Sequence, residues 1–240
     1  MFRSTSHIVA QRIESQTPIT WFLGVSTVFA ILLVFASLAT FATAAVPLLV
    51  FAGTVVIGSY GLIQTYPHAV LGLCNTVTLF RAAAVAFLVG AVLFPPVSAW
   101  VVFCVALLAF ALDGVDGWLA RRANLVSVFG ARFDMETDAG LGAVISVWLL
   151  TSGSAGPEIL ILGFMRYAFV AASLVWPALQ SQLPEVFRRK AICVVQIATL
   201  ILLVFPLTPQ VVAAPVGIAA AILLSWSFFV DIVWLARRTA

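Results

Sequence analysis

Charge is the scarcest commodity in this chain. Of 240 residues only 9% are Asp, Glu, Lys or Arg, while 63% are hydrophobic, and the mean hydropathy is +1.17. A soluble domain of this size needs far more polar surface, so the composition excludes that class and indicates a polytopic membrane protein. Segments of about ten residues with alternating polarity are also missing, which excludes a membrane β-barrel. Cysteine is sparse: Cys74, Cys104 and Cys193 are scattered through apolar sequence, match no zinc spacing and cannot all pair. They read as small packing residues. The net charge of +3 is spread along the chain, so nothing suggests a nucleic-acid partner. No cleavable signal peptide is expected, because the first apolar run, about Trp21 to Ala45, is too long for a signal core and follows a polar arm.

What is present is a series of long apolar runs. They predict an all-α integral membrane protein of eight spans, near residues 20–42, 46–64, 76–95, 97–121, 125–152, 157–179, 189–206 and 210–236, each about the length needed to cross 30 Å of hydrocarbon. Pro95-Pro96, Ser152-Gly153-Ser154 and the Pro206–Pro209 stretch mark tight turns. Two extra N-terminal spans and the arm before them, residues 1–70, are expected to be separable from a six-helix catalytic membrane domain, 71–240, because they carry no intramembrane charge. With eight spans, Arg3, Arg12, Arg121, Arg122, Arg132, Arg188, Arg189, Lys190, Arg237 and Arg238 all fall on one side, and the opposite loops carry only Glu158. That asymmetry predicts both termini in the cytoplasm. The compact chain suggests a bacterial inner membrane.

Four carboxylates break the apolar pattern. Asp113 and Asp116 lie three apart on the fourth span, and Asp134 and Asp138 four apart on the fifth, so each pair shares a helix face. Carboxylates in hydrocarbon are costly and mark function by default. Counting from Arg121, Asp113 is about 12 Å deep, and Asp134 is about 13 Å deep if the fifth span begins near Leu125. The two antiparallel helices therefore carry carboxylates at similar depth, facing a cavity open to the cytoplasm. Oxygen-only donors select magnesium, manganese or calcium, and four carboxylates allow two metals, an arrangement suited to displacement at phosphorus. Gly117 and Gly130 allow a bulky ligand to approach the backbone, and Arg121 supplies a fixed cation for a phosphate. A purely structural set of ion pairs with Arg121, Arg132 or Arg166 explains neither the spacing nor the glycines. Arg81 lies inside a span and calls for a buried partner or a phosphate.

The residues Asp113, Asp116, Gly117, Ala120, Arg121, Gly130, Asp134 and Asp138 resemble, at every fixed position, the CDP-alcohol phosphotransferase (CDP-alcohol phosphatidyltransferase) signature D-x-x-D-G-x-x-A-R-(x8)-G-x-x-x-D-x-x-x-D. The six spans from Asn75 onward resemble that family's fold. The resemblance implies attack of an alcohol hydroxyl on a CDP-linked lipid, usually CDP-diacylglycerol, with release of CMP and formation of a phospholipid. It implies two divalent cations, Mg2+ or Mn2+, on Asp113, Asp116, Asp134 and Asp138, with Asp138 also the general base. It implies nucleotide and diphosphate contacts from Gly117, Ala120, Arg121 and Gly130, joined by Asn75, Thr78 and Arg81 of an N-x-x-T-x-x-R element. Helix capping is the alternative reading of Asn75 and Thr78. A homodimer is implied as well.

Arg166, mid-span, with Arg189 and Lys190 ahead of the seventh span and Gln196 beyond, resembles the branch of the family that takes phosphorylated acceptors such as glycerol 3-phosphate or inositol phosphate. Ile192 stands where that branch has a second Lys, and Tyr167 where it has an acidic residue. Topology alone also accounts for Arg188, Arg189 and Lys190. His68 reads as a loop residue, and Asp231 as a partner for Arg237 or Arg238 or a local cap. Two other classes fit an acidic membrane cluster: a cation transporter, and an intramembrane prenyltransferase acting on a diphosphate lipid through magnesium.

Overall fold

A computed structural model describes the backbone of residues 3–180 and 187–239, and side chains within 18–177 and 187–237 except Lys190, together with Leu179. Among these residues there are eight α-helices and no strand: α1 (Arg3–Phe41), α2 (Ala45–Thr65), α3 (Gly72–Leu93), α4 (Ala99–Arg122), α5 (Val128–Thr151), α6 (Ile159–Val175), α7 (Phe187–Val204) and α8 (Gln210–Thr239). A single 3-10 turn, Pro177–Gln180, follows α6.

Among the described residues, five stretches are long and apolar enough to cross a membrane: Pro18–Phe41, Ala45–Thr65, Gly72–Leu93, Ala99–Arg122 and Gln210–Arg237. The chain is a polytopic all-α membrane protein. Helix α6 is apolar but shorter. The first half of α5 holds Arg132, Asp134, Glu136 and Asp138, and α7 opens on Arg188, Arg189 and Lys190, so chemistry rather than length lowers their hydropathy.

The chain forms two compact units. The first comprises residues 1–97 and 108–137. In it α1, α2 and α3 pack against one another, and α3 is the most enclosed, with 61% of its most apolar stretch buried against 22% in α1 and in α2. Trp21, Phe35, Leu49 and Ile57 are exposed on α1 and α2, as suits faces turned to lipid rather than water. Phe51, Leu79, Ala86 and Leu88 are buried. At Gly90 an added Cβ would lie 2.6 Å from the Phe41 ring and 2.8 Å from Pro47, so glycine is what lets α3 meet the α1–α2 corner.

The N-terminal helices thus belong to the same compact unit as Asp113, Asp116 and Asp134.

The second unit comprises residues 98–107 and 138–240. In it α6, α7 and α8 pack together, around Leu149, Ile159, Leu162, Leu200 and Leu224. Arg188 on α7 donates to the Ser227 carbonyl at 2.9 Å and hydroxyl at 2.7 Å, and pairs with Asp231 at 2.5 Å. Asp231 therefore pairs across to α7 rather than with Arg237 on its own helix; the Arg238 side chain lies outside the described residues. Residues six and seven apart on one helix are separated by about 9–10 Å along its axis, whereas the start of α7 brings Arg188 alongside.

Candidate functional site

The site is built from the turn that joins α4 to α5. Asn124 takes the left-handed conformation (φ 56°), the Leu125 N–H donates to the Ala120 carbonyl at 2.9 Å, and the Asn124 N–H donates to the Arg121 carbonyl at 3.4 Å. This is the hydrogen-bond pattern that closes a helix on an αL residue, and asparagine is among the few non-glycine types that accept it. Ser127 then caps α5: its Oγ accepts the Gly130 N–H at 3.0 Å. With the C-cap of α4 and the N-cap of α5 only three residues apart, the two helices must run antiparallel, which returns Asp134 toward Asp113 and Asp116.

The three carboxylates converge. One oxygen from each of Asp113, Asp116 and Asp134 lies within 4.8 Å of the others. The N-x-x-T-x-x-R element of α3 lies against them. Arg81, fully buried, pairs with Asp113 at 3.0 Å, Asp116 at 2.8 Å and Asp134 at 2.5 Å, while its Nε donates to the Ala109 carbonyl at 3.0 Å. Thr78 Oγ1 lies 2.9 Å from Asp116 Oδ2. Arg81 is thus a cation shared by all three carboxylates. The i, i+3 and i+6 spacing of Asn75, Thr78 and Arg81 puts all three on one face of α3.

Asn75 plays a different part. Its Nδ2 donates to the Leu71 carbonyl at 2.6 Å and lies 3.3 Å from the Tyr66 hydroxyl. A Cβ at Gly130 would lie 3.2 Å from Asn75 Oδ1 and 3.1 Å from Ser127 Oγ, so glycine keeps this spot open. The Tyr66 phenol is pushed up to about 12, chiefly by burial. It stays protonated at neutral pH and can donate to the Leu71 or Val70 carbonyl, at 2.8 and 2.7 Å. His68 Nε2 lies 3.1 Å from the Val126 carbonyl, tying the loop before α3 to the α4–α5 turn. Sequence reasoning gave His68 no partner, since 58 residues separate the pair.

The remaining predicted residues are distributed as follows. Arg121 is exposed, and its guanidinium is the nearest group to a Cβ built on Gly117, 3.4 Å away. Ala120 is half-buried at the same end of α4. Asp138 lies one turn beyond Asp134 on α5, in the second unit. Arg166 is half-buried in the middle of α6. Arg189 Nε lies 3.9 Å from Asp231 Oδ2. Lys190 follows on α7, its side chain outside the described residues. Gln196 donates through Nε2 to the Leu162 carbonyl.

The donor set suits a hard divalent cation. All three groups are carboxylates. Asp116 is buried and committed to Arg81 and Thr78, but the Asp113 and Asp134 side chains are 29% and 35% exposed, which leaves lone pairs available to an incoming ion.

A stretch of 30 residues is 63% identical to the protein named CDP-diacylglycerol–inositol 3-phosphatidyltransferase 1 of Arabidopsis thaliana, covering 12% of this chain and 13% of that one. Over 183 residues the chain is 28% identical to the CDP-diacylglycerol–glycerol-3-phosphate 3-phosphatidyltransferase of Sodalis glossinidius (strain morsitans), covering 66% of this chain and 92% of the relative. The CDP-alcohol phosphatidyltransferase family model matches residues 71–233, a span that holds every residue of the acidic cluster, and by that match the chain belongs to the CDP-alcohol phosphatidyltransferase family.

Proposed function

We propose that this protein transfers the phosphatidyl group of CDP-diacylglycerol to a phosphorylated alcohol, releasing CMP. The observation that carries the reading is the convergence of Asp113, Asp116 and Asp134 within 4.8 Å inside the matched family region. Asp113, Asp116, Asp134 and Asp138 would hold two magnesium or manganese ions, which would supply charge neutralisation for the diphosphate and for the departing CMP. Asp138 accepts the proton of the acceptor hydroxyl as that oxygen bonds to the phosphorus bearing the lipid. Arg121 steadies the diphosphate at the exposed end of α4, and Gly117, Ala120 and Gly130 leave room for the nucleotide beside it. Thr78 and Arg81 orient Asp116 and its neighbours, and Asn75 shapes the nucleotide side.

The acceptor is assigned to glycerol 3-phosphate or inositol phosphate. The support is the glycerol-3-phosphate named in the Sodalis relative and the cations Arg166, Arg189 and Lys190, suited to an acceptor phosphate. In the same reading the enzyme works as a homodimer in a bacterial inner membrane, with both termini and the carboxylates on the cytoplasmic side, as the one-sided distribution of Lys and Arg favours. Family membership leaves the cation-transporter and prenyltransferase alternatives without support.

The test is CMP release by purified protein in detergent, given CDP-diacylglycerol, magnesium or manganese, and one acceptor at a time. Release with glycerol 3-phosphate or inositol phosphate, abolished by a chelator, is the expected result. Release only with serine, free inositol or choline overturns the acceptor assignment. No binding of CDP-diacylglycerol overturns the donor.

A further inference from the structure

Asp134 is the only member of the acidic cluster on α5; Asp113 and Asp116 both come from α4. Like charges repel, so something must hold the start of α5 in place against that repulsion. Arg81 attracts the Asp134 carboxylate, but an ion pair on one side chain does not set the depth or rotation of a helix.

The packing on the neighbouring face of α5 does. Phe129 and Phe133 are one turn apart and stacked, with centroids 5.5 Å apart and planes at 17°. Phe22 of α1, with no exposed surface, meets both rings edge-on, at 6.2 and 6.1 Å. Helix α2 closes over them through glycines. A Cβ at Gly58 would lie 3.0 Å from Phe22 and 3.7 Å from Phe133, and one at Gly61 would lie 3.4 Å from Phe129. The Tyr66 ring adds an edge contact to Phe129 at 5.8 Å. Gly130 and Asp134 each follow one of the two phenylalanines by a single residue, a fixed rotation of about 100° around the helix. Whatever fixes the aromatic face therefore fixes the chemical face. Between helices in lipid, close van der Waals packing is the main source of such rigidity.

We infer that Phe22 is a positioning residue: through Phe129 and Phe133 it holds Asp134 in register with Asp113 and Asp116, so that α1 and α2, which lie outside the matched family region, form the support of the metal site. This rests on the reading of the acidic cluster as a metal site.

The experiment uses the full-length protein in detergent and measures Mn2+ binding by electron paramagnetic resonance, alongside thermal unfolding without metal. Phe22→Ala is expected to raise the Mn2+ dissociation constant about tenfold or more, the scale seen when residues supporting a ligand are removed, and Phe22→Leu to recover part of the loss. Leu33→Ala opens a cavity in the same helix about 16 Å away. Leu33 is buried, so that variant is expected to lower the unfolding temperature and leave the Mn2+ affinity unchanged. Gly58→Ala displaces the Phe22 ring more gently and is expected to weaken Mn2+ binding in protein that still folds. Phe22→Ala and Gly58→Ala with wild-type Mn2+ affinity overturn the positioning role. Wild type that binds Mn2+ no better than Asp116→Asn overturns the metal reading itself, and the positioning role with it.

Discussion

Arg81 and Asp116 form a buried ion pair, Nη1 to Oδ2 2.8 Å, with side chains 1% and 4% exposed. Neither charge has water to fall back on, so each depends on the other. Removing one partner of such a pair leaves an uncompensated charge and costs about 3–5 kcal/mol. Arg81→Met is accordingly expected to lower unfolding stability by that amount. Arg81→Lys is expected to recover little, because an ammonium cannot reach three carboxylates and the Ala109 carbonyl with one planar group. Chemical or thermal unfolding in detergent measures both.

The proposed roles of the carboxylates separate by assay. Asp138→Asn is expected to cut CMP release by about 100-fold or more, the scale of general-base catalysis, while binding of CDP-diacylglycerol survives. Asp113→Asn is expected to lose metal-dependent binding of the CDP-lipid as well. Isothermal titration with and without magnesium, beside turnover, distinguishes the two. Full activity in either variant defeats the assignment.

Gly163 is expected to tolerate no side chain. A Cβ there would lie 2.7 Å from Ser146 Cβ and 3.1 Å from the Ala143 backbone, so Gly163→Ala should cost about 1–3 kcal/mol by overpacking. Gly24 is the contrast. Nothing lies within 4 Å of its Cβ position, and Gly24→Ala should stabilise α1 by about 0.5–1 kcal/mol through helix propensity. Paired unfolding curves show whether the sign reverses as expected.

The Arg188–Asp231 bridge ties the start of α7 to α8 within the second unit. The Arg188 and Asp231 side chains are 24% and 11% exposed, so solvent screens the pair in part. A double-mutant cycle with Arg188→Gln and Asp231→Asn is expected to give a coupling energy of about 1 kcal/mol. The same cycle with Arg237→Gln in place of Arg188→Gln is expected to give none.

The grouping of Asp113, Asp116 and Asp134 was legible in the sequence because it is local. The i, i+3 and i, i+4 spacings of the aspartates, the short turn between their helices, and the glycines all act within one helix or one short turn. Helix geometry maps such spacings directly onto a face. Asn75, Thr78 and Arg81 were legible only as a resemblance to the N-x-x-T-x-x-R element, and their partners were not legible. A spacing says which side of a helix a residue occupies and nothing about what comes to meet it. Arg81 could as well have served a ligand phosphate as the carboxylates it holds here.

By itself, then, the amino-acid sequence determined that this is a polytopic helical membrane protein with clustered carboxylates on consecutive helices, because hydropathy, run length and helical period are properties of contiguous residues. Only the tertiary structure decided that Arg81 is the counter-ion of Asp113, Asp116 and Asp134, that Asp231 turns to Arg188, and that Phe22 of the N-terminal helix reaches Phe129 and Phe133 beside the site. Those relationships join residues 32 to 111 positions apart in the chain. In lipid, where every helix is apolar and hydropathy ranks no face above another, only the fit of side chains between helices chooses among them.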